Sequence, residues 1–130
     1  MLPHFPWISS IFLLGTQMWF VFQGQLYIRL VQVGIDNVAP LMSSSVPLSK
    51  WYFVASSYDY NSGIGRLYVN GEKAVELNVG TGIEHATQYD IRMGAVPSDR
   101  RFFRGRIHGL QVYNVSLTKQ QIGEVKEGAW

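Results

Sequence analysis

The stretch that decides the fold is "GRLYVNGEKAVELNV", residues 65–79, where two β-type runs are joined by Asn70 and Gly71. An Asn-Gly pair tolerates the positive φ angles of a type I′ turn, whose twist matches that of two paired antiparallel strands. The stretch therefore predicts a β-hairpin with a two-residue loop. Both faces of this hairpin carry apolar side chains, so alternation does not determine which face meets the core.

A second strand signal lies in "QLYIRLV", residues 25–31, which alternates in polarity. Leu26, Ile28 and Leu30 fall on one side, so this segment predicts a strand with one buried and one wet face. "GIDNVAPLMSSSVPLS", residues 34–49, has two prolines, three consecutive serines and no period. That segment predicts a long loop that crosses the molecule.

Three further runs are rich in apolar and β-forming residues and predict strands. They are "KWYFVASSYDY" (residues 50–60), "YDIRMGAV" (89–96) and "RIHGLQVYN" (106–114). The last of these is expected to close the sheet, after a turn that contains several arginines.

The N-terminal segment contains no Lys, Arg, Asp or Glu before Arg29. A secretory signal would need basic residues where Pro3 and Pro6 stand, and polar residues interrupt the apolar run that a membrane span requires. Two buried strands, "IFLLG" and "MWFVF", separated by a polar "TQ" turn fit the run lengths better. We favour the strands, and the membrane alternative stays open.

The C-terminal segment predicts one short helix. Thr118 and Gln121 have the spacing of a capping box, and Leu117 and Ile122 stand where a hydrophobic staple would form. Gly128 is a residue at which such a helix would end. Frequent turns between about eight short strands, with only this helix, favour an all-β fold, an antiparallel β-sandwich (jelly roll) with one short C-terminal helix.

The amino-acid composition limits the classes of function that the chain can have. The chain has 130 residues, of which 47% are hydrophobic and 15% charged, and this predicts one folded domain. A net charge of +2 and the lack of a recognition helix argue against nucleic acid as the partner. The absence of cysteine excludes disulfides, thiolate metal sites and cysteine nucleophiles.

Three segments together resemble a known family. "LSKWYFVASSYDYNSGIGRLYVNGEKAV" (48–75), "IRMGA" (91–95) and "FFRGRIHGLQVYNVSLTKQQI" (102–122) resemble the laminin G-like and pentraxin-like branch of the concanavalin A-like superfamily. The resemblance implies a single β-sandwich domain over residues 1–130, strongest over 48–122 and poorly assigned over 1–8. Such domains carry one or two earlier strands, so we expect an N-terminally shortened domain with an exposed edge that favours self-association.

The arginine-rich turn is the first candidate site. Its guanidinium groups present forked donors for sulfates or carboxylates, and the resemblance implies a family that includes binders of sulfated glycans. The alternative is a solvated turn in which Phe102 and Phe103 pack inward. The arginines concerned are Arg100, Arg101, Arg104 and Arg106.

The resemblance also implies calcium as a candidate cofactor, bound through carboxylates and carbonyls. Asp59 with Asn61 is the favoured pair, although Asp and Asn are also common in turns for backbone reasons alone. The other candidates are Asp36 with Asn37, and Asp90. Asn114 begins an N-glycosylation sequon, Asn-Val-Ser, which fits a secreted protein.

Catalysis is not expected, because the acids form no strand pattern of the E-x-D-x-x-E type found in glycan-cleaving relatives of this fold. We therefore expect a non-catalytic extracellular module, secreted or part of an ectodomain, that binds a glycan or another extracellular protein. The alternatives are a structural domain without a ligand and, less favoured, a glycan-active enzyme. Membrane contact is expected only through the N-terminal apolar segment or a larger parent protein.

Overall fold

The computed structural model describes residues 11–13, 16–20, 24–30, 32, 41–47, 49–85, 91–94 and 102–129. Within these residues the chain forms eight strands and one helix. The strands and the helix are β1 Ile11–Leu13, β2 Thr16–Phe20, β3 Gln25–Leu30, β4 Leu41–Ser45, β5 Val54–Asp59, β6 Ile64–Val69, β7 Glu72–Asn78, β8 Arg92–Met93 and α1 Lys119–Gly128.

One sheet has five strands in the order β4-β3-β2-β1-β8, and all its pairs are antiparallel. Strand β3 alternates between partly buried and fully buried residues, as its sequence predicts. The two N-terminal strands are confirmed, but the polar pair between them is not a turn. Thr16 and Gln17 are the first residues of β2 and pair with Leu30 and Arg29.

The predicted loop over residues 34–49 is wrong in part. Strand β4 lies inside it and pairs with β3, with Met42 opposite Tyr27 and Leu41 opposite Ile28. The segment has no period of its own, and the strand forms because β3 offers it a regular edge, so tertiary context overrides the weak local preference. Residues 33–40 lie outside the described part of the chain.

The second sheet has three strands in the order β5-β6-β7, consecutive in the chain. The predicted hairpin is confirmed, because Val69 pairs with Glu72 and leaves a two-residue loop. In that loop φ is 53° at Asn70 and 83° at Gly71, as a type I′ turn requires.

The core lies between the two sheets. Leu67 of β6 packs with Met18, Leu26 and Ile28 of the five-stranded sheet, and all four side chains are buried. This contact settles which face of the hairpin points inward. Tyr68, on the other side of β6, is also buried at 2% exposure. The arrangement is the β-sandwich that the sequence predicts.

The predicted closing strand over residues 106–114 is wrong. The whole segment is described and contains no strand, and its side chains are exposed. Gly109 has φ 69°, a left-handed conformation that interrupts an extended path and any regular pairing. The strand predicted over residues 89–96 is present in part, as the two-residue strand β8, which pairs with β1.

Helix α1 is confirmed with its capping box. The Thr118 hydroxyl accepts a hydrogen bond from the Gln121 N–H, and the Gln121 side chain accepts one from the Thr118 N–H. Ile122 is buried and Leu117 partly buried, the positions expected of a staple. Lys119 Nζ lies 2.7 Å from Glu72 Oε2, which links the helix to the start of β7. No helix within the described residues has the length and apolarity needed to cross a membrane.

Candidate functional site

The described part of the arginine-rich turn, residues 102–106, is anchored by Phe103. The Phe103 N–H donates to the Gly94 carbonyl oxygen at 2.8 Å, and its side chain is partly buried. A Cβ on Gly105 would lie 2.6 Å from the Phe103 ring, so the absence of a side chain at residue 105 allows the chain to fold closely over the ring. We call residues 100–106 the arginine loop.

Arg104 and Arg106 are exposed on this loop, on either side of Gly105. If the segment were only a solvated turn, both Phe102 and Phe103 would be expected to pack inward. Phe102 is 57% exposed, so only Phe103 anchors the loop. Arg100 and Arg101 lie outside the described residues. Asp99 directly precedes the loop in the sequence and no other Asp or Glu follows before Glu124, so the segment carries a net positive charge.

Asp59 and Asn61, the predicted calcium ligands, lie in the turn between β5 and β6. Asp59 Oδ1 accepts hydrogen bonds from the N–H groups of Asn61 at 3.0 Å and Ser62 at 3.3 Å. The bonds from Ser62 and Asn61 lower the pKa of the Asp59 carboxyl below its ordinary value. This local turn explains why an acid occupies position 59.

Calcium binding stays a prediction. Among the described residues, no three His, Asp or Glu side chains come together in a metal-binding group. The other candidates, Asp36, Asn37 and Asp90, lie outside the described part of the chain. Asn114 is exposed at a bend, and its glycosylation is also a prediction.

The structure reveals one polar cluster that sequence reasoning missed, around Tyr58. Its hydroxyl donates to the Gly80 carbonyl oxygen at 2.7 Å and accepts from the Ile83 N–H at 3.0 Å. The His85 ring packs edge-on against the Tyr58 ring, with ring centroids 5.2 Å apart. Residues 58 and 85 are far apart in sequence, so no local signal identifies the cluster.

Burial lowers the pKa of His85 below its ordinary value. Its Nε2 is buried and has no hydrogen-bond partner within the described part of the chain. Both features favour the neutral imidazole, and the ring lies beside the small cluster in which Leu30, Ile83 and Tyr58 pack together.

Two aromatic rings that flank β5 are exposed, although a chain this apolar is expected to bury most of its aromatic side chains. Trp51 precedes β5 and is 52% exposed, and Tyr60 follows β5 and is 54% exposed. Tyr113 is also exposed, near the C-terminal helix.

Comparison with known proteins agrees with this architecture. A laminin G-type family model, described as the concanavalin A-like lectin/glucanases superfamily, matches residues 9–123. No curated protein sequence matches the chain significantly.

A crystal structure of an S-layer domain-containing protein from Clostridium thermocellum is similar, with a TM-score of 0.53 and 18% sequence identity. The similarity covers 97% of this chain and 66% of that one, so the chain spans just under two thirds of the neighbour's length. At this identity the likeness shows the fold alone. The family match covers most of the chain, and the chain therefore belongs to the concanavalin A-like lectin/glucanase superfamily, in its laminin G-like branch.

Proposed function

We propose that the chain is a non-catalytic extracellular recognition module whose arginine loop binds an anionic glycan or an acidic surface of an extracellular protein. One observation carries the proposal: Arg104 and Arg106 are exposed on a loop that Phe103 anchors through a backbone hydrogen bond. Arginine guanidinium groups offer forked donors that match sulfate and carboxylate geometry. A loop fixed at its base loses less conformational entropy when it binds.

Three carboxylates within the described residues, Asp59, Glu72 and Glu76, lack a property that catalysis of glycan cleavage requires. A glycan-cleaving enzyme needs one carboxyl whose pKa is raised so that it can donate a proton. Here the hydrogen bond from Lys119 lowers the pKa of Glu72, and those from Lys73 and Arg66 lower the pKa of Glu76. Asp59 is shifted in the same direction by the N–H groups of its turn.

The proposal is tested on arrays of sulfated and neutral glycans. Replacing all four loop arginines by Ala is expected to abolish binding to sulfated glycans, while Arg→Lys at Arg104 and Arg106 weakens it because the forked geometry is lost. Lys50→Ala, at another exposed cation, is the control and should bind like the parent. Unchanged binding after removal of the four arginines would exclude the loop as the site.

Calcium at Asp59 and Asn61 is a second part of the proposal. Oδ1 accepts the two backbone N–H bonds of the turn, and a carboxylate oxygen is a ligand that calcium prefers. Asp59→Asn keeps an amide oxygen for the turn and removes the charge, so it should abolish calcium-dependent binding without unfolding the protein. Binding that persists in chelator would remove calcium from the mechanism.

A structural domain without a ligand is the second candidate function. The exposure of Phe102, which packs against no described core, favours a surface that is completed by another part of a larger protein. Failure to bind any glycan on the array, with or without calcium, would favour this candidate.

A further inference from the structure

Four strands lie at the edges of the two sheets within the described residues, namely β4, β8, β5 and β7. Proteins protect such edges from pairing with other chains by charged side chains, by β-bulges or by keeping the strand short. Strand β7 carries Glu72, Lys73 and Glu76 and has a register shift, β4 also pairs across a register shift, and β8 is two residues long. Strand β5 has six residues in regular register with β6 and no Lys, Arg or Pro, and its one acid, Asp59, is its last residue. Of these four edges, that of β5 is therefore the one suited to accept a further strand.

The backbone of β5 presents hydrogen-bonding groups on the side away from β6. The Asn70 N–H donates to the Phe53 carbonyl oxygen at 2.7 Å, so the polar groups of residue 53 face β6. Because these groups alternate along an antiparallel strand, those of every second residue from Val54 to Tyr58 face the opposite side. Within the described part of the chain, no strand and no loop hydrogen bond takes up these groups. We call this side the outer edge of β5.

The same chain contains a segment that has the composition of a strand but no strand beside it. "LQVYNV", residues 110–115, follows Gly109 and has no Gly, Pro or charged residue. Its side chains are exposed, and its backbone forms no hydrogen bond to another of the residues that the structure describes. Six extended residues span about 20 Å, so the 110–115 segment and β5 have the same length.

We propose that two copies of this chain associate by strand pairing, with the 110–115 segment of one copy aligned along the outer edge of β5 of the other. Each element supplies the hydrogen-bonding partners that the other lacks. The pairing would add a fourth strand to the three-stranded sheet and would cover Val112 and Val115, which are 44% and 63% exposed. Addition of an extended segment to a sheet edge is a common mode of recognition between proteins.

Charge favours the antiparallel orientation of the two strands. Bonds from the N–H groups of Ser62 and Asn61 lower the pKa of the Asp59 carboxyl, which is therefore ionised at neutral pH. Arg106 stands four residues before the 110–115 segment, as Lys50 stands four residues before β5. Parallel pairing would bring these two cations together, whereas antiparallel pairing brings Arg106 toward the Asp59 end of β5.

The contact joins two different surfaces of the chain, so a copy can use its segment and its edge with different neighbours, and association can go beyond a dimer. It consists mainly of backbone hydrogen bonds and apolar side chains outside the arginine loop. The inference therefore does not depend on the function proposed for that loop.

The test uses sedimentation velocity over a dilution series, with chain produced without glycosylation because Asn114 lies inside the segment. Val112→Pro removes a backbone donor and should weaken association about tenfold or more. Ser56→Pro should do the same from the other side, because its N–H faces the outer edge and proline is tolerated at such positions of an edge strand. Phe102→Ala is the control, since it removes a comparably exposed apolar side chain outside the segment and should associate like the parent.

Mixing the two proline variants gives the sharper result. Val112→Pro keeps an intact β5 edge and Ser56→Pro keeps an intact segment, so an equimolar mixture should form a one-to-one complex that neither variant forms alone. Circular dichroism checks that both variants are folded. If Ser56→Pro does not fold, a synthetic peptide of residues 106–116 replaces it, and this peptide should dissociate the parent, whereas the same peptide with Val112→Pro should not.

Four outcomes would overturn the proposal. These are a monomeric parent chain at every concentration, equal association of the parent and Val112→Pro chains, and a mixture of the two folded proline variants that stays monomeric. The fourth is loss of association at high salt in the variant that lacks the four loop arginines, because this would place the contact on the arginine loop. Association that persists in this variant while binding to sulfated glycans is lost would separate the interface from the proposed function.

Discussion

At the scale of single residues, Gly63 shows how closely two turns approach each other. It is the last residue of the β5–β6 turn with φ 72°, and its N–H donates to the Asp59 carbonyl oxygen at 2.8 Å. A Cβ at this position would lie 2.5 Å from the carbonyl carbon of Gly80, a backbone atom that cannot rotate away. Both conformation and space therefore require glycine.

Gly63→Ala is expected to destabilise the protein strongly. The left-handed conformation costs an Ala about 1–2 kcal/mol, and the clash with residue 80 adds about 1–3 kcal/mol. Gly109 has nearly the same φ, 69°, but nothing within 4 Å of an added Cβ, so Gly109→Ala isolates the conformational cost. Urea denaturation of both variants measures the difference, and equal losses would contradict the close approach.

His85 gives the stability a pH dependence of predictable sign. Its pKa is lowered in the folded state by burial, so the unfolded chain takes up the proton first as the pH falls through about 6.5. The stabilising contribution is complete above about pH 6.5 and is lost progressively below it. The carboxyls of Asp59, Glu72 and Glu76, whose pKa values are also lowered, lose their contributions only at more acidic pH, below about 4.5.

Denaturation midpoints measured between about pH 7.5 and 5.5 check this assignment. His85→Gln should flatten the dependence in that range, and His108→Gln, at an exposed histidine, should leave it unchanged. A flat profile in the parent chain would show that His85 is hydrated in solution.

At the scale of elements, the sequence predicts a turn, strand or helix cap when that feature is stabilised by residues close to it in the chain. The Asn70-Gly71 turn, the alternation of β3 and the Thr118 capping box could be predicted because each depends on neighbours within a few residues. Strand β4 could not, because its pairing with β3 is supplied by residues that lie more than ten positions earlier.

The strand predicted over residues 106–114 is wrong for the opposite reason. Its composition is that of a strand, yet a strand requires a partner edge, and none is paired with it among the described residues. The candidate sites follow the same rule. The arginine loop could be found from charge density in the sequence, whereas the contact between Tyr58 and His85 joins two segments whose approach no local pattern encodes.

The capping box predicts a measurable loss at the helix. Thr118→Ala removes the acceptor for the Gln121 N–H and should lower the free energy of unfolding by about 1 kcal/mol. Ser116→Ala, an exposed residue just before the helix, is the control and should be near neutral. Thermal unfolding measures both, and an unchanged midpoint for Thr118→Ala would mean that α1 contributes little to the folded state.

At the scale of the whole molecule, apolar surface is distributed unevenly. Of the eleven large hydrophobic side chains that are exposed in the described part of the chain, eight lie between residues 91 and 115, so they are concentrated in one part of the sequence. Val115 is the most exposed of them at 63%. A high density of exposed apolar side chains favours association.

We therefore expect the isolated chain to self-associate with rising concentration. Because the contact would be apolar, it should persist at high salt, and the double variant Val112→Thr with Val115→Thr should shift it to higher concentration. Light scattering over a dilution series measures the effect. A monodisperse monomer at high concentration would contradict the expectation.

The Asn70-Gly71 turn has a further consequence, for the chemical lifetime of the protein. Because Gly71 has no side chain, its backbone nitrogen is unshielded toward the side-chain carbonyl of Asn70, the geometry through which asparagine loses ammonia by ring closure. The resulting isoaspartyl linkage lengthens the backbone by a methylene group, which a two-residue loop cannot accommodate while Val69 stays opposite Glu72. In the folded chain Asn70 Oδ1 accepts the Phe53 N–H at 3.0 Å, which restrains the side chain. Peptide mapping of aged samples should thus find slower deamidation at Asn70 in folded than in unfolded protein, so that the hairpin protects the residue on which it depends.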